Sequence, residues 1–213
     1  PHSTAPMTGI FLDLLSTDPV YYISHVVLIT FSICLHEYAH AFYAARLGDP
    51  TPLMTGHLTM NPFKQMGWMS LAMLVFFGIA WGMVPVNPRN FRHRHGDAMV
   101  AIAGPAANLF LCGVFSLLQS IVMAAQIDDG GVLMKFFMVG AIANGALFFL
   151  NIIPVPPLDG FSVVGSFFPG LKRFAYAPQN AGMMNMIFIV LLLSGSLSFV
   201  WKAGRWLNQM FVF

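Results

Sequence analysis

The sequence predicts an all-α polytopic membrane protein with about four to six transmembrane helices. Composition and patterning both point that way. Of 213 residues, 57% are hydrophobic and 8% charged, against about 25% charged in an ordinary soluble domain. The mean hydropathy is +0.73. The apolar residues are also gathered into long runs separated by Gly, Pro and Asp clusters, most of them near the roughly 20 residues that a membrane-crossing helix needs. No internal repeat or low-complexity linker divides the chain, so a single membrane-embedded domain over 1–213 is expected. Its core covers 20–160, and a C-terminal helix covers 183–201.

In chain order, Met7–Leu15 is apolar but too short to cross and is expected at the membrane interface. The first crossing is Val20–Leu47, stopped by Gly48-Asp49-Pro50. Thr55–Met60 alternates moderately and predicts a short edge strand that could receive an unwound peptide by strand addition. Trp68–Val84 lies between Gly67 and Pro85 and carries Gly78 and Gly82, as a broken or re-entrant helix would. Ala98–Ile127 ends at Asp128-Asp129-Gly130-Gly131, Val132–Ile153 runs into a proline-rich segment, and Met183–Trp201 is the last run.

The path of Trp68–Val84 sets the topology. If it dips in and returns, Arg46, Lys64, Arg89, Arg92, Arg94, Lys172 and Arg173 share one face, and only Lys135, Lys202 and Arg205 take the other. The positive-inside rule then makes the richer face cytoplasmic. A multi-pass protein of a cell inner membrane or plasma membrane is expected, surrounded by lipid. With a formal net charge of +2 and no basic block, nothing points to nucleic acid. Cys34 and Cys112 cannot build a disulfide framework and form no C-x-x-C pair. Oligomeric state is not legible.

Inside the first crossing stands His36-Glu37-Tyr38-Ala39-His40. Ionisable groups at that depth are costly and mark functional sites. His36 and His40 are four apart, so both rings project from one helix face and suit two nitrogen ligands of zinc. Glu37 beside the first ligand is placed to act as general base on a water that zinc makes acidic. A third ligand must reach the same depth. Asp13 and Asp18 lie near the far end of the helix, and Asp49 follows it too closely to fold back. Asp97 caps the third run, while Asp128 and Asp129 fall on the wrong side. Asp159 lies on the correct side, in Asn151-Ile-Ile-Pro-Val-Pro-Pro-Leu-Asp159-Gly160. The prolines there cannot continue a helix, and irregular backbone at membrane depth is tolerated where it lines a polar cavity. Asp159 is therefore the expected third ligand of one Zn²⁺ per chain. The alternative is a membrane metal transporter using the same cluster as a transit site, which leaves the adjacency of Glu37 and the proline-bounded Asp159 unexplained.

HEYAH together with Asn151…Pro157-Leu158-Asp159-Gly160 resembles the site-2 protease family of intramembrane zinc metalloproteases. Arg46-Leu47-Gly48-Asp49-Pro50-Thr51, Gly56–Pro62, Val84–Asn90 and Ala103-Gly104-Pro105-Ala106-Ala107-Asn108 resemble segments of its small bacterial members. The resemblance covers about His36 to Gly160. It implies zinc held by His36, His40 and Asp159, Glu37 as catalytic base, and Asn151 as a donor to the substrate carbonyl or its oxyanion. It also implies that Pro157 and Leu158 shape the segment carrying Asp159. Asn144 and His57 join those two as candidates for substrate positioning, and His57, Asn61, Asn87 and Asn90 are candidates to line a water route. His57 and Gly82-Met83 depart from the family pattern, which often has basic residues there. No PDZ-like or CBS-like extension is seen, so substrate selection is expected to rest on the membrane core or a partner. The expected activity is regulated intramembrane proteolysis, a cut in or near transmembrane segments of other membrane proteins. The active site is expected nearer the cytoplasmic face.

Overall fold

The computed structural model describes residues 10–127 and 131–212. The elements are a 3-10 turn at Phe11–Asp13 and helices α1 (Leu14–Thr17), α2 (Pro19–Arg46), α3 (Thr51–Met54), α4 (Pro62–Gln65) and α5 (Gly67–Phe77). A second 3-10 turn at Pro88–Asn90 precedes α6 (Gly96–Ala124), α7 (Val132–Asn151), α8 (Asp159–Phe167), α9 (Pro169–Ala175), α10 (Ala181–Leu193) and α11 (Ser196–Phe211). No strand occurs among the described residues. The expected Thr55–Met60 strand is absent: the segment opens in a turn at Gly56, and the buried Gln65 amide donates to the carbonyls of His57 and Thr59, at 2.9 and 2.6 Å. Those two carbonyls are therefore spent inside the protein rather than offered at a sheet edge.

Helices α2, α6 and α7 are each long and apolar enough to cross a membrane. The first begins sharply because Pro19 stands in its first turn and the Asp18 carboxylate accepts the Tyr21 N–H at 3.1 Å. Its buried stripe of Tyr22, His25, Ile29, Ser32, His36 and His40 recurs every three or four residues. Thus the face that packs the bundle is also the face that carries the histidines. Asp18 also pairs with Lys135 at 2.9 Å, tying the start of α2 to the start of α7. Small residues bring the helices close. A Cβ on Gly140 would lie 2.8 Å from the Phe115 ring, and one on Gly145 would lie 2.9 Å from Cα of Gly204 in α11. Of the apolar Met7–Leu15, the described part tucks in, with the Phe11 ring 5.1 Å from Tyr22 and 4.9 Å from His25; residues 7–9 lie outside the described set, as do Asp128 and Asp129.

The last apolar run differs from the expected single helix over 183–201. It is cut at Ser194-Gly195, where Gly195 has φ 81°, into α10 and α11. The second of these docks between α6 and α7, where Ser116 donates to Asn208 at 2.8 Å.

Helix α5 has 11 residues, about 16 Å at 1.5 Å per residue and half a bilayer core. Gly78, at φ 71°, ends it. The chain then returns alongside it: Ser70 donates to the Trp81 carbonyl at 2.6 Å and accepts its N–H at 2.8 Å, and Met83 N–H donates to the Gln65 carbonyl at 2.9 Å. Residues 65 and 83 are therefore neighbours, so the run Trp68–Val84 leaves and comes back. This predicts that single cysteines placed at the exposed Lys64 and Arg89, in a background lacking Cys34 and Cys112, react with an impermeant maleimide from the same side of a sealed vesicle. Labelling from opposite sides would mean that the run crosses.

Candidate metal centre

The HExxH turn of α2 and the first residue of α8 meet in the bundle. Nε2 of His36 and of His40 lie 3.0 Å apart, and each is near Asp159 Oδ2, at 3.1 and 3.3 Å. A tetrahedral zinc with bonds of about 2.0 Å sets its ligand atoms about 3.3 Å apart, close to this triangle. Asp159 Oδ2 is buried with no hydrogen bond. The donor set of two imidazoles and one carboxylate is one that zinc takes in catalytic sites.

The protonation of both rings can be deduced. His40 Nδ1 lies 2.7 Å from the Val100 carbonyl. A carbonyl only accepts, so Nδ1 carries a proton, and in the neutral ring Nε2 presents its lone pair. For His36 the deduction starts farther away. Asn144 Nδ2 donates to the Gly140 carbonyl at 2.9 Å and to Ser32 Oγ at 2.8 Å. Its Oδ1 therefore accepts from Asn108 Nδ2 at 3.0 Å, and Asn108 Oδ1 accepts from His36 Nδ1 at 2.6 Å. A backbone carbonyl of α7 thus fixes, through two buried amides, which nitrogen of His36 faces Asp159. Two lone pairs and a carboxylate oxygen then converge on one point, which is stable only when a cation joins them.

The local backbone follows from the sequence. A Cβ on Gly104 would lie 2.4 and 2.5 Å from Nε2 of His40 and His36, so only glycine fits over the pair. Pro105, inside α6, has no N–H to give the Ala101 carbonyl, one residue from the Val100 carbonyl that meets His40. Asp159 lies not in a loop but at the start of α8, after Leu158, with its carboxylate in the first turn. A Cβ on Gly160 would lie 2.2 Å from the Ile152 carbonyl, so the glycine after the aspartate lets α8 fold back under the end of α7.

Glu37 is buried beside the triangle. The returning chain passes directly over it. A Cβ on Gly82 would sit 2.4 Å from its carboxylate, and the Val84 N–H faces that carboxylate. Asp49 pins the far end of this strap, accepting from Asn87 N–H at 2.6 Å, Asn90 Nδ2 at 2.8 Å and Thr51 Oγ1 at 2.6 Å. Burial pushes the Asp49 carboxyl up, but these donors outweigh it and hold it below its ordinary value, so it stays anionic.

Some expected residues take other places. Asn144 does not face the triangle: its amide is fully buried and spent on Asn108, Ser32 and Gly140, so substrate contact is replaced by support of His36. Asn151 ends α7 with Nδ2 on the Leu147 carbonyl at 3.0 Å. His57 is bonded to Thr55 Oγ1 at 2.9 Å, and Asn61 and Asn87 cap the turns that follow them. Pro157 is exposed and Leu158 buried. Gly104, Asn108, Ser32 and Gly82 were not legible as site residues. Gly104 and Asn108 did stand in a segment resembling the family, but their four-residue spacing on one helix face reads equally well as helix packing.

Gly104→Ala should abolish stoichiometric zinc, and Asn108→Ala should weaken zinc affinity by about 10–100-fold, with helix content kept. Metal analysis and chelator competition on purified protein check both. Unchanged zinc in Gly104→Ala would contradict this geometry.

Among proteins of known name, the chain is 33% identical to "Putative zinc metalloprotease YwhC" of Bacillus subtilis (strain 168), over 84% of this chain and 86% of that protein. It is 30% identical to "Putative zinc metalloprotease Rip2" of Mycolicibacterium smegmatis, over 90% of this chain and 74% of that protein. The Rip2 of Mycobacterium tuberculosis (strain H37Rv) is 28% identical over 76% of this chain and 62% of its own length. No family model and no solved structure matches significantly.

Proposed function

The chain belongs to the site-2 protease family of zinc metalloproteases, and on that premise we propose that it is an intramembrane endopeptidase cutting in or near transmembrane segments of other membrane proteins. The observation that carries this reading is the meeting of Asp159, at the start of α8, with His36 and His40 inside α2, a helix long and apolar enough to cross a membrane, with Glu37 beside them. Such groups are costly to hold within a bilayer and are retained there for chemistry.

His36, His40 and Asp159 are the proposed ligands of one zinc, leaving a fourth position open. When bound, zinc supplies Lewis acidity, polarising the scissile carbonyl and bringing the pKa of water toward neutrality. Glu37 takes the proton of the attacking water and delivers it to the leaving amine. Asn108 and the Val100 carbonyl keep the Nε2 lone pairs of His36 and His40 aimed inward throughout. Asn151, eight residues before Asp159 across the proline-rich bend, is the proposed donor to the oxyanion, after release of its amide from the Leu147 carbonyl. The strap over Glu37 narrows the approach to it, so a substrate segment must be locally unwound to present a carbonyl there. The basic side, carrying Arg46, Lys64, Arg89, Arg92 and Arg94, is the proposed cytoplasmic face, and the site opens nearer to it.

Glu37→Gln is expected to keep zinc and lose cleavage of a model transmembrane substrate by about 10²–10⁴-fold, measured with detergent-purified protein. Cleavage at the wild-type rate by the zinc-loaded variant would remove Glu37 from the mechanism. Zinc-loaded wild type that cuts no transmembrane substrate while cutting soluble peptides would replace the intramembrane reading with an ordinary peptidase.

A further inference from the structure

Away from the metal centre, a cavity of about 310 Å³ opens between the start of α6 and the α8–α9 bend. Its walls carry Arg94, Lys172, Arg173, Asp97, His93 and Ser166. Three cations against one carboxylate leave a local excess of two positive charges, the size of the formal net charge of the whole chain, +2. Lys172 is bonded to Asp97. Arg94 and Arg173 have no acidic partner among the described residues. A concave site holding two uncompensated guanidinium groups and a hydroxyl suits a phosphate oxyanion, which the planar guanidinium binds in bidentate fashion.

The surroundings choose between a free phosphate and a lipid. On the α8–α9 segment beside the cavity, Phe167, Phe168, Leu171 and Phe174 are all exposed. A basic pocket rimmed by exposed aromatic side chains is what the headgroup region of a bilayer meets: rings enter the acyl boundary while cations reach the phosphates. We propose that this cavity is a binding site for the headgroup of an anionic phospholipid. Ser166 lies on the helix that Asp159 begins. A headgroup held at one end of α8 therefore steadies the element that carries the carboxylate of the metal triangle at its other end.

The test is binding, independent of proteolysis. Delipidated protein in neutral detergent is titrated with short-chain phosphatidylglycerol, with phosphatidylcholine and inorganic phosphate in parallel arms, and bound lipid is counted by native mass spectrometry. One saturable phosphatidylglycerol per chain is expected, with much weaker phosphatidylcholine and inorganic phosphate. Arg94→Gln/Arg173→Gln should lower affinity on the order of 30-fold, and Ser166→Glu, which puts a carboxylate into the cavity, should do likewise. The charge-matched Arg46→Gln/Lys64→Gln, on exposed residues outside the cavity, should stay within about threefold of wild type. Zinc content and melting temperature report folding in every variant. Equal binding by Arg94→Gln/Arg173→Gln and wild type overturns the proposal. So does an equal loss in the control pair, or inorganic phosphate binding as tightly as the lipid.

Discussion

Two imidazole nitrogens and a carboxylate oxygen, each 3.0–3.3 Å from the others inside an apolar bundle, call for a positive charge to join them. The surrounding structure is arranged to hold them there. Both histidines have their Nδ1 protons committed elsewhere, so in the neutral rings it is the Nε2 lone pairs that face Asp159. The carboxylate is delivered from the opposite direction by a helix whose second residue must be glycine to fit under Ile152. What joins the three atoms is the proposed zinc.

This requirement explains why the buried polar groups of α6 and α7 lie where they do. Interhelical hydrogen bonds in membrane proteins contribute only about 0.6 kcal/mol on average, so Ser32, Asn144 and Asn108 are a weak way to glue helices together. They are a strong way to define a direction. The Gly140 carbonyl accepts and cannot donate, and that polarity passes through two amides to His36. A network with every partner satisfied is tolerable inside a bundle, whereas one with a missing member leaves a buried polar group exposed to apolar surroundings. The same logic applies across the mouth of the site. There Gln65, Ser70 and Asp49 hold the returning strap by its backbone, and Gly82 lets it lie on Glu37.

The features legible in the sequence were those fixed by cost and period. Charge depletion and apolar runs predicted the helices, and the four-residue spacing placed both histidines on one face. The count of lysines and arginines favoured a returning Trp68–Val84, and that topology left Asp159 as the partner able to reach them. The features that were not legible depend on contacts between distant segments. Asn144 was a candidate for positioning substrate, but its amide is bonded to α2, α6 and its own helix. Gly104 looked like packing because nothing local says that two imidazoles stand above it. The Thr55–Met60 strand failed because Gln65, ten residues from its start, takes its carbonyls. The last helix divided because Gly195 permits a turn that apolar composition alone does not reveal.

The central claim is that His36, His40 and Asp159 together hold one zinc. X-ray absorption at the zinc edge on purified protein tests it most directly. The predicted spectrum has nitrogen and oxygen scatterers at about 2.0–2.1 Å, two imidazole scattering patterns and no sulfur, and Asp159→Ala removes one oxygen scatterer or the metal itself. A sulfur shell, or a spectrum unchanged in Asp159→Ala, would contradict it.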